Sequence, residues 1–330
     1  MKLAIVVPCY NEEEVISETA NRLLSLLARL SSAGKISPQS MIYFVDDGSK
    51  DRTWTMIDQL SQKHWQIAGI KLSRNRGHQN ALLAGLLTAG GNAIVSVDAD
   101  LQDDIDVIEA MVDDYHRGID IVYGVRKKRE TDTFFKRLTA ETFYSLIRLV
   151  GAESVYNQAD YRLMSRRALE SLREFQEVNL YIRGMVPLLG FKTSTVHYDR
   201  RERFAGQTKY PLKKMIALAL DAITSFSVVP LRIITLTGFV VFAGTMGISV
   251  WILWVKLFTT NAIPGWASTV LPMYFLGGIQ IFCIGILGEY MGKIYREVKA
   301  RPRYIIEQVI DRSRATTPFL ASEERNVTIG

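Results

Sequence analysis

The stretch AIVSVDADLQDD carries four aspartates directly after an apolar run. Carboxylates that repel one another and lose water at the end of a buried strand disfavour folding unless a cation neutralises them. Asp98 and Asp100 flank one residue and can reach a single hard divalent cation, to which Gln102 adds an amide oxygen. Asp103 and Asp104 suit the first turn of a following helix. The stretch therefore predicts a Mg²⁺ or Mn²⁺ site, although Asp-x-Asp alone is a weak pattern.

Short apolar runs alternate with helical patterns between residues 3 and 124, and the runs LAIVVP, MIYFVD and AIVSVD are examples. This alternation predicts βαβ units and an α/β fold with a mainly parallel sheet covered on both faces. Ligands bind such sheets beyond the carboxyl ends of the strands. The polar loops expected there are Pro8-Cys9-Tyr10-Asn11-Glu12, Asp46-Asp47-Gly48-Ser49, Arg74-Asn75-Arg76-Gly77-His78 and Asp98-Ala99-Asp100. Helix capping explains any one of these loops, whereas a shared binding site explains all four together.

Composition, cysteine positions and missing motifs exclude several classes of protein. The 330 residues are 48% hydrophobic and carry a formal charge of +6, and the mean hydropathy is +0.07. These values predict a soluble domain joined to a short membrane part. The two cysteines, Cys9 and Cys283, lie far apart, so a disulfide framework is not expected. The sequence contains no P-loop, G-x-G-x-x-G or nucleophile elbow, so the NTPase, dehydrogenase and hydrolase interpretations lack their motifs.

Two long segments carry no charge, 233–255 over 23 residues and 257–288 over 32 residues. About 20 such residues span a bilayer, so the pattern predicts two transmembrane helices. The preceding basic segment PLKKMIALALDAITSF is typical of a helix in the membrane interface, with an ordinary core helix as the alternative. Lysine and arginine flank the pair on both sides, which predicts that both termini are cytoplasmic. The basic residues therefore indicate contact with anionic lipid and not with nucleic acid.

Six motifs together carry a family resemblance. VVPCYNEEE, VDDGSKDRT and DADLQDD resemble the inverting family 2 glycosyltransferases, which have a Rossmann-like GT-A fold, and GVRKKRETD, NQADYRLMSR and RERFAGQTKYPLKK resemble their polyprenyl-phosphate glycosyltransferases. The resemblance covers residues 2–303. It implies a cytoplasmic GT-A catalytic domain at 1–208, a juxtamembrane amphipathic helix at 209–228, a two-helix transmembrane hairpin at 229–290 and a basic C-terminal helix and tail at 291–330.

The resemblance also implies roles for individual residues. The catalytic residues would be Asp98, Asp100 and Asp160, and the metal would be held by Asp98, Asp100 and Gln102. The nucleotide sugar would contact Pro8, Tyr10, Asn11, Glu12, Asp46, Asp47, Gly77, Asp98, Ala99 and Asp100. The phosphate of the lipid would contact Arg126, Arg137, Arg201, Arg203 and Lys209. The simpler alternatives are a salt bridge from Asp160 to Arg162 or Arg166, and a solvated face for Arg126 and Arg137.

The function implied is metal-dependent, inverting transfer of a hexose, expected to be glucose from UDP-glucose, to undecaprenyl or another polyprenyl phosphate. The reaction would take place at the cytoplasmic face of the inner membrane and serve envelope glycans. Mannose, aminoarabinose or N-acetylglucosamine are alternative sugars, and a non-catalytic, membrane-anchored scaffold that binds sugar nucleotides is the alternative outside enzymes. A processive polysaccharide synthase is disfavoured because the sequence has no Arg-Trp pair. Gly277, Gly278, Gly285 and Gly288 permit close helix contacts and predict a homo-oligomer.

Overall fold

The computed structural model describes residues 1–126, 158–177, 181–199 and 265–314, with isolated helical positions between 234 and 258. Several predictions therefore lie outside the described residues. They are the lipid-phosphate residues Arg137, Arg201, Arg203 and Lys209, the interface helix at 209–228, and most of the first predicted span at 233–255.

Within these residues, eight strands form one sheet in the order β7-β5-β6-β4-β1-β2-β3-β8. The strands are β1 Leu3–Cys9, β2 Met41–Asp46, β3 Ile67–Leu72, β4 Ala93–Ser96, β5 Ile121–Arg126, β6 Gln158–Ser165, β7 Thr193–Tyr198 and β8 Ile306–Ile310. The run β3-β2-β1-β4 is parallel, and β5 is parallel to β7. β6 lies antiparallel between β4 and β5, and β8 is antiparallel to β3. The predicted α/β fold with a mainly parallel sheet covered on both faces is confirmed.

Helices cover both faces of the sheet. The helices that do so are α1 Ile16–Ser32, α2 Thr53–Lys63, α3 His78–Thr88, α4 Val107–His116, α5 Arg166–Arg173 and α6 Ile182–Leu188, and a further helix, α7, spans Trp266–Val298. Apolar side chains of α1, α2 and α4 pack on one face, and those of α3, α5 and α6 pack on the other. Gly85 brings α3 directly onto β1 and β2, because a Cβ at this position would collide with Val6 and Val45. The loops at the carboxyl ends of the strands are thus held by buried elements.

The region after 291 contains a strand that the sequence did not predict. α7 ends at Val298, and β8 then joins the edge of the sheet beside β3. The ion pair between Lys71 Nζ and Glu307 Oε1, at 3.1 Å, links the two strands.

The two cysteines are free. Among the described residues, no helix combines the length and the apolar composition needed to cross a bilayer.

Candidate active site

The β1–α1 and β2–α2 loops are joined by hydrogen bonds between backbone and side chains. The Asn11 amide donates to Ser49 Oγ at 3.0 Å, and the Lys50 amide donates to Asn11 Oδ1 at 2.9 Å. The Glu12 amide donates to Thr53 Oγ1 at 2.9 Å. Asn11 adopts a left-handed φ of 54°, which asparagine tolerates better than most residues. These hydrogen bonds hold the first two polar loops in a fixed position relative to each other.

Other residues predicted to bind the nucleotide lie next to these two loops. Pro8 is buried in β1 opposite Val45, while Tyr10 follows the strand with 40% of its surface exposed. Asp46 ends β2 and is fully buried, and its carboxylate accepts a hydrogen bond from the Ser49 amide at 3.2 Å. Burial raises the pKa of Asp46, and that hydrogen bond partly offsets the rise. Tyr10 is therefore the most accessible side chain of this group.

Asp47 connects β1 to the loop that precedes α3. Its backbone amide donates to the Cys9 carbonyl at 2.9 Å, and its carboxylate accepts from the Arg76 amide at 2.7 Å and the Gly77 amide at 2.8 Å. Burial raises the pKa of Asp47, whereas these two amide hydrogen bonds lower it. Gly77 has a φ of 88°, which favours glycine. Asp47 and Gly77, both predicted at the nucleotide, thus meet directly.

Gly48 lets the β2–α2 loop approach the same segment. Its φ is 68°, and a Cβ there would lie 2.7 Å from the backbone of Arg74 and of Asn75. A side chain at this position would push the two loops apart. The Asp-Asp-Gly-Ser sequence therefore combines two buried carboxylates with a close contact between backbones.

The acidic loop after β4 is anchored from two directions. The Ala99 carbonyl accepts a hydrogen bond from Thr19 Oγ1 of α1 at 2.8 Å. The Gln102 amide donates to Asp100 Oδ1 at 3.2 Å, across Leu101 with a φ of 56°. Asp98 leaves 36% of its side chain exposed. The loop thus holds the Asp-x-Asp pair at the carboxyl edge of the sheet.

Carboxylates crowd around Asp98. Burial, followed by the charges of Asp103, Asp160 and Asp100, raises the pKa of Asp98 to about 6, while His78 lowers it. An environment this acidic favours a bound cation, and carboxylate oxygens are the ligands that hard divalent cations prefer. The donor set therefore fits Mg²⁺ or Mn²⁺.

The metal ligands predicted from the sequence are two carboxylates and one amide oxygen. In the part of the chain that the structure describes, no three His, Cys, Asp or Glu side chains form a metal-binding group. Asp98, Asp100 and Gln102 would thus leave positions for substrate oxygens and water, as is common for Mg²⁺.

Asp160 lies at the start of β6, and its side chain is only 5% exposed. Arg183 donates from Nε to Oδ1 and from Nη2 to Oδ2, both at 2.9 Å. Gln79 Nε2 donates to Oδ2 at 3.0 Å, and Arg162 Nη2 donates to Oδ1 at 2.9 Å. Burial alone would raise the pKa of Asp160, but the hydrogen bonds from His78 and Arg183 hold it well below the usual range. Asp160 is therefore an ionised, saturated acceptor.

His78 connects the two acidic positions. Its Nε2 lies 3.5 Å from Asp160 Oδ2 and 3.6 Å from Asp98 Oδ1. Burial alone would lower the pKa of His78. The hydrogen bond to Asp160 and the negative charges of Asp98 and Asp160 have the larger effect, so the pKa is raised. The sequence placed His78 only in one of the four polar loops expected at the carboxyl ends of the strands. The structure brings His78 between the Asp-x-Asp loop and Asp160.

Arg126 ends β5 in a different network. Its Nη2 donates to Asp103 Oδ1 and its Nε to the Tyr198 hydroxyl, each at 3.2 Å. The Tyr198 hydroxyl donates to the same Asp103 oxygen at 2.6 Å. The prediction that Asp103 and Asp104 belong to the first helical turn is wrong, because α4 begins at Val107, and Asp103 is buried. Arg126 thus pairs with a buried carboxylate and keeps 31% of its side chain exposed.

Sequence reasoning missed Arg183 and Gln79. Of the two salt bridges considered for Asp160, the one to Arg162 is present, whereas Arg166 donates to the Ala89 and Gly91 carbonyls. A signal for Arg183 existed, since it is the one charged residue in the apolar segment YIRGMVPLL.

Comparison with known proteins identifies the family. The model of the family described as "Glycosyl transferase family 2" matches residues 4–173, which include the Asp-x-Asp loop and Asp160. The chain belongs to glycosyl transferase family 2. This family 2 glycosyltransferase is therefore an enzyme, and the resemblance seen in its motifs is confirmed.

Its relatives match along nearly their whole length. An uncharacterized glycosyltransferase, YkoT, of Bacillus subtilis is 53% identical over 310 residues, which are 92% of this chain and 91% of that protein. A prophage bactoprenol glucosyl transferase homolog of Escherichia coli is 40% identical over 313 residues, 94% of this chain and 99% of that protein. The bactoprenol glucosyl transferase of Shigella phage SfV is 38% identical over 309 residues, 93% and 98% of the two chains.

Proposed function

We propose that this enzyme transfers glucose from UDP-glucose to undecaprenyl or another polyprenyl phosphate, with inversion at the anomeric carbon. The observation that carries the proposal is the 38–40% identity to proteins named bactoprenol glucosyl transferases, which extends over more than nine tenths of each chain. Identity that continues past residue 173 supports a shared acceptor as well as a shared catalytic domain.

The donor is proposed to lie along the carboxyl edge of the sheet. Tyr10 offers an exposed ring to the nucleotide, and Asp46 and Asp47 keep the neighbouring loops in place. Asp98 and Asp100, with Gln102, would hold the divalent cation beside the diphosphate. When bound, the cation stabilises negative charge on the departing diphosphate.

The acceptor needs little activation. A lipid phosphate is already an anion at neutral pH, so its oxygen attacks without a strong general base. Asp160 is suited to an electrostatic role, because its saturated carboxylate stays ionised and does not take up a proton. We propose that it orients the sugar or stabilises positive charge that develops at the anomeric carbon. Arg126, Arg137, Arg201, Arg203 and Lys209 remain the candidates for the lipid phosphate.

The membrane arrangement is part of the proposal. The uncharged segments 233–255 and 257–288 support a transmembrane hairpin, with the catalytic domain and both termini on the cytoplasmic side of the inner membrane. A homo-oligomer is proposed on the glycines of α7. Gly277, Gly278, Gly285 and Gly288 have no side chain, which permits close contact between helices.

The test is an incubation of the purified protein in detergent with polyprenyl phosphate and a panel of labelled sugar nucleotides. Label from UDP-glucose should enter the organic phase as a single sugar per lipid, and excess chelator should prevent this. Label from UDP-N-acetylglucosamine or a mannose donor alone would replace glucose by another sugar. Binding of sugar nucleotides without transfer would favour the scaffold.

A further inference from the structure

Four donors from three elements fix the orientation of Asp160. Arg183 of α6 binds both carboxylate oxygens through two parallel hydrogen bonds at 2.9 Å. Gln79 of α3 binds Oδ2, and Arg162 of β6 binds Oδ1. A planar guanidinium that meets a carboxylate in this two-bond geometry fixes direction as well as charge. Arg183 is the donor that determines how the carboxylate plane is turned.

Gln79 links Asp160 to the first residue of α6. Its Oε1 accepts a hydrogen bond from the Ile182 amide, the first residue of α6, at 3.2 Å, while its Nε2 binds Asp160. Its neighbour His78 contacts Asp160 at 3.5 Å and Asp98 at 3.6 Å. A turn of the Asp160 carboxylate would therefore move the partner of His78 and change the position of His78 relative to Asp98.

Arg162 cannot replace Arg183 in this role. It is fully buried, it gives Asp160 one hydrogen bond, and its Nε and Nη1 have no partner in the described part of the protein. Arg162 therefore neutralises the charge of Asp160 from a buried position. Arg183 keeps 38% of its side chain exposed, so it forms the solvent-accessible side of the pair.

We infer that Arg183 is a positioning residue for the transfer reaction, acting through Asp160 on His78 and Asp98. The inference rests on the proposed function. Arg183 does not need to touch substrate in this role. It holds the carboxylate and the imidazole in the geometry that the reaction uses.

The test compares Arg183→Ala and Arg183→Lys with the wild-type enzyme, using labelled UDP-glucose and polyprenyl phosphate. The control is Arg167→Ala, which removes an arginine that forms the same two-bond pair with Asp120, at 2.5 Å for each bond. Calorimetric titration with UDP and Mn²⁺ counts the folded binding sites, and kcat is expressed per site.

Arg183→Ala should lower kcat by about 100-fold, the loss expected for a misplacement of roughly 1 Å, with KM for UDP-glucose little changed. Arg183→Lys should stay impaired, because an ammonium restores the charge but not the planar fork. Arg167→Ala should keep the wild-type kcat. These results distinguish positioning from a loss of folded protein.

Three outcomes overturn the inference. Wild-type kcat per site in Arg183→Ala would show that the pair is only structural. Full rescue by Arg183→Lys would show that charge alone matters. Absence of transfer by the wild-type enzyme, both from UDP-glucose and from the panel of sugar nucleotides used to test the proposed function, would overturn that function and, with it, this role. The first two outcomes leave the proposed function intact.

Discussion

Two buried aspartates at opposite edges of one sheet each hold an arginine by two hydrogen bonds. Asp160 binds Arg183 at the carboxyl edge, and Asp120 binds Arg167 at the amino edge, just before β5. Asp120 also accepts from Ser165 Oγ at 2.9 Å, which closes a corner between two strands. Asp160 instead meets Gln79, His78 and Arg162.

The difference lies in what surrounds each pair. Arg167 leaves 67% of its side chain in solvent, and its partner Asp120 contributes to a structural corner. Asp160 lies among cations that also face Asp98, whose pKa is raised by burial and by neighbouring carboxylates. The same type of ion pair therefore stabilises the fold at the amino edge and organises a site at the carboxyl edge.

Asp160→Asn and Asp120→Asn give the sharpest test of this comparison. Asp160→Asn leaves the buried guanidinium of Arg162 without its counter-charge, so we expect a loss of about 3 to 5 kcal/mol in unfolding free energy together with loss of transfer. Asp120→Asn should lower stability less and leave transfer unchanged, because Arg167 returns to water. Denaturant unfolding and the transfer assay measure both quantities. Equal losses in the two variants would remove the distinction.

Gly48→Ala and Gly118→Ala compare backbone strain at the two edges. Both glycines have positive φ, and alanine in that region costs about 1 to 2 kcal/mol. A Cβ at Gly48 also meets the backbone of Arg74 and Asn75 at 2.7 to 2.9 Å, whereas one at Gly118 meets no described residue within 4 Å. Gly48→Ala should therefore weaken UDP binding as well as lower Tm, and Gly118→Ala should only lower Tm. Unchanged UDP affinity in Gly48→Ala would contradict the role given to that loop.

A pH series tests the amino-edge pair alone. Hydrogen bonds from Arg167, against burial, lower the pKa of Asp120 below its unfolded value. Stabilisation from a lowered carboxylate pKa is present above the unfolded pKa of about 3.9 and disappears as the pH falls through the folded value. The Tm difference between wild type and Arg167→Ala should thus stay constant from about pH 7 to pH 5 and shrink below about pH 4. A difference that grows in acid would be inconsistent with this pair.

Local patterns predicted most of the sheet and its acidic loop. The apolar runs before Asp46 and Asp98 and the amphipathic spacing of α1 are signals within a few residues, so they can be read from the chain. β8 has no such signal. Its five residues are mostly exposed, and its pairing depends on β3, more than 200 positions earlier, through contacts such as Lys71 with Glu307.

The carboxylate partners were also beyond local patterns. Asp103 appeared to be a helix-entry residue because it precedes a helical segment, and only the arrival of Arg126 and Tyr198 from β5 and β7 explains its burial. Arg183 and Gln79 reach Asp160 because α6 and α3 pack on the same face of the sheet. Contacts of this kind depend on tertiary packing.

Transfer of label from UDP-glucose to polyprenyl phosphate by wild type, Asp100→Asn and Asp120→Asn, with UDP binding measured in parallel, tests the central claim most directly. Lipid-linked label should form with the wild type and with Asp120→Asn, and Asp100→Asn should lose at least about 100-fold in rate while remaining folded. Transfer by Asp100→Asn at the wild-type rate would show that the acidic loop at the carboxyl edge does not carry the chemistry.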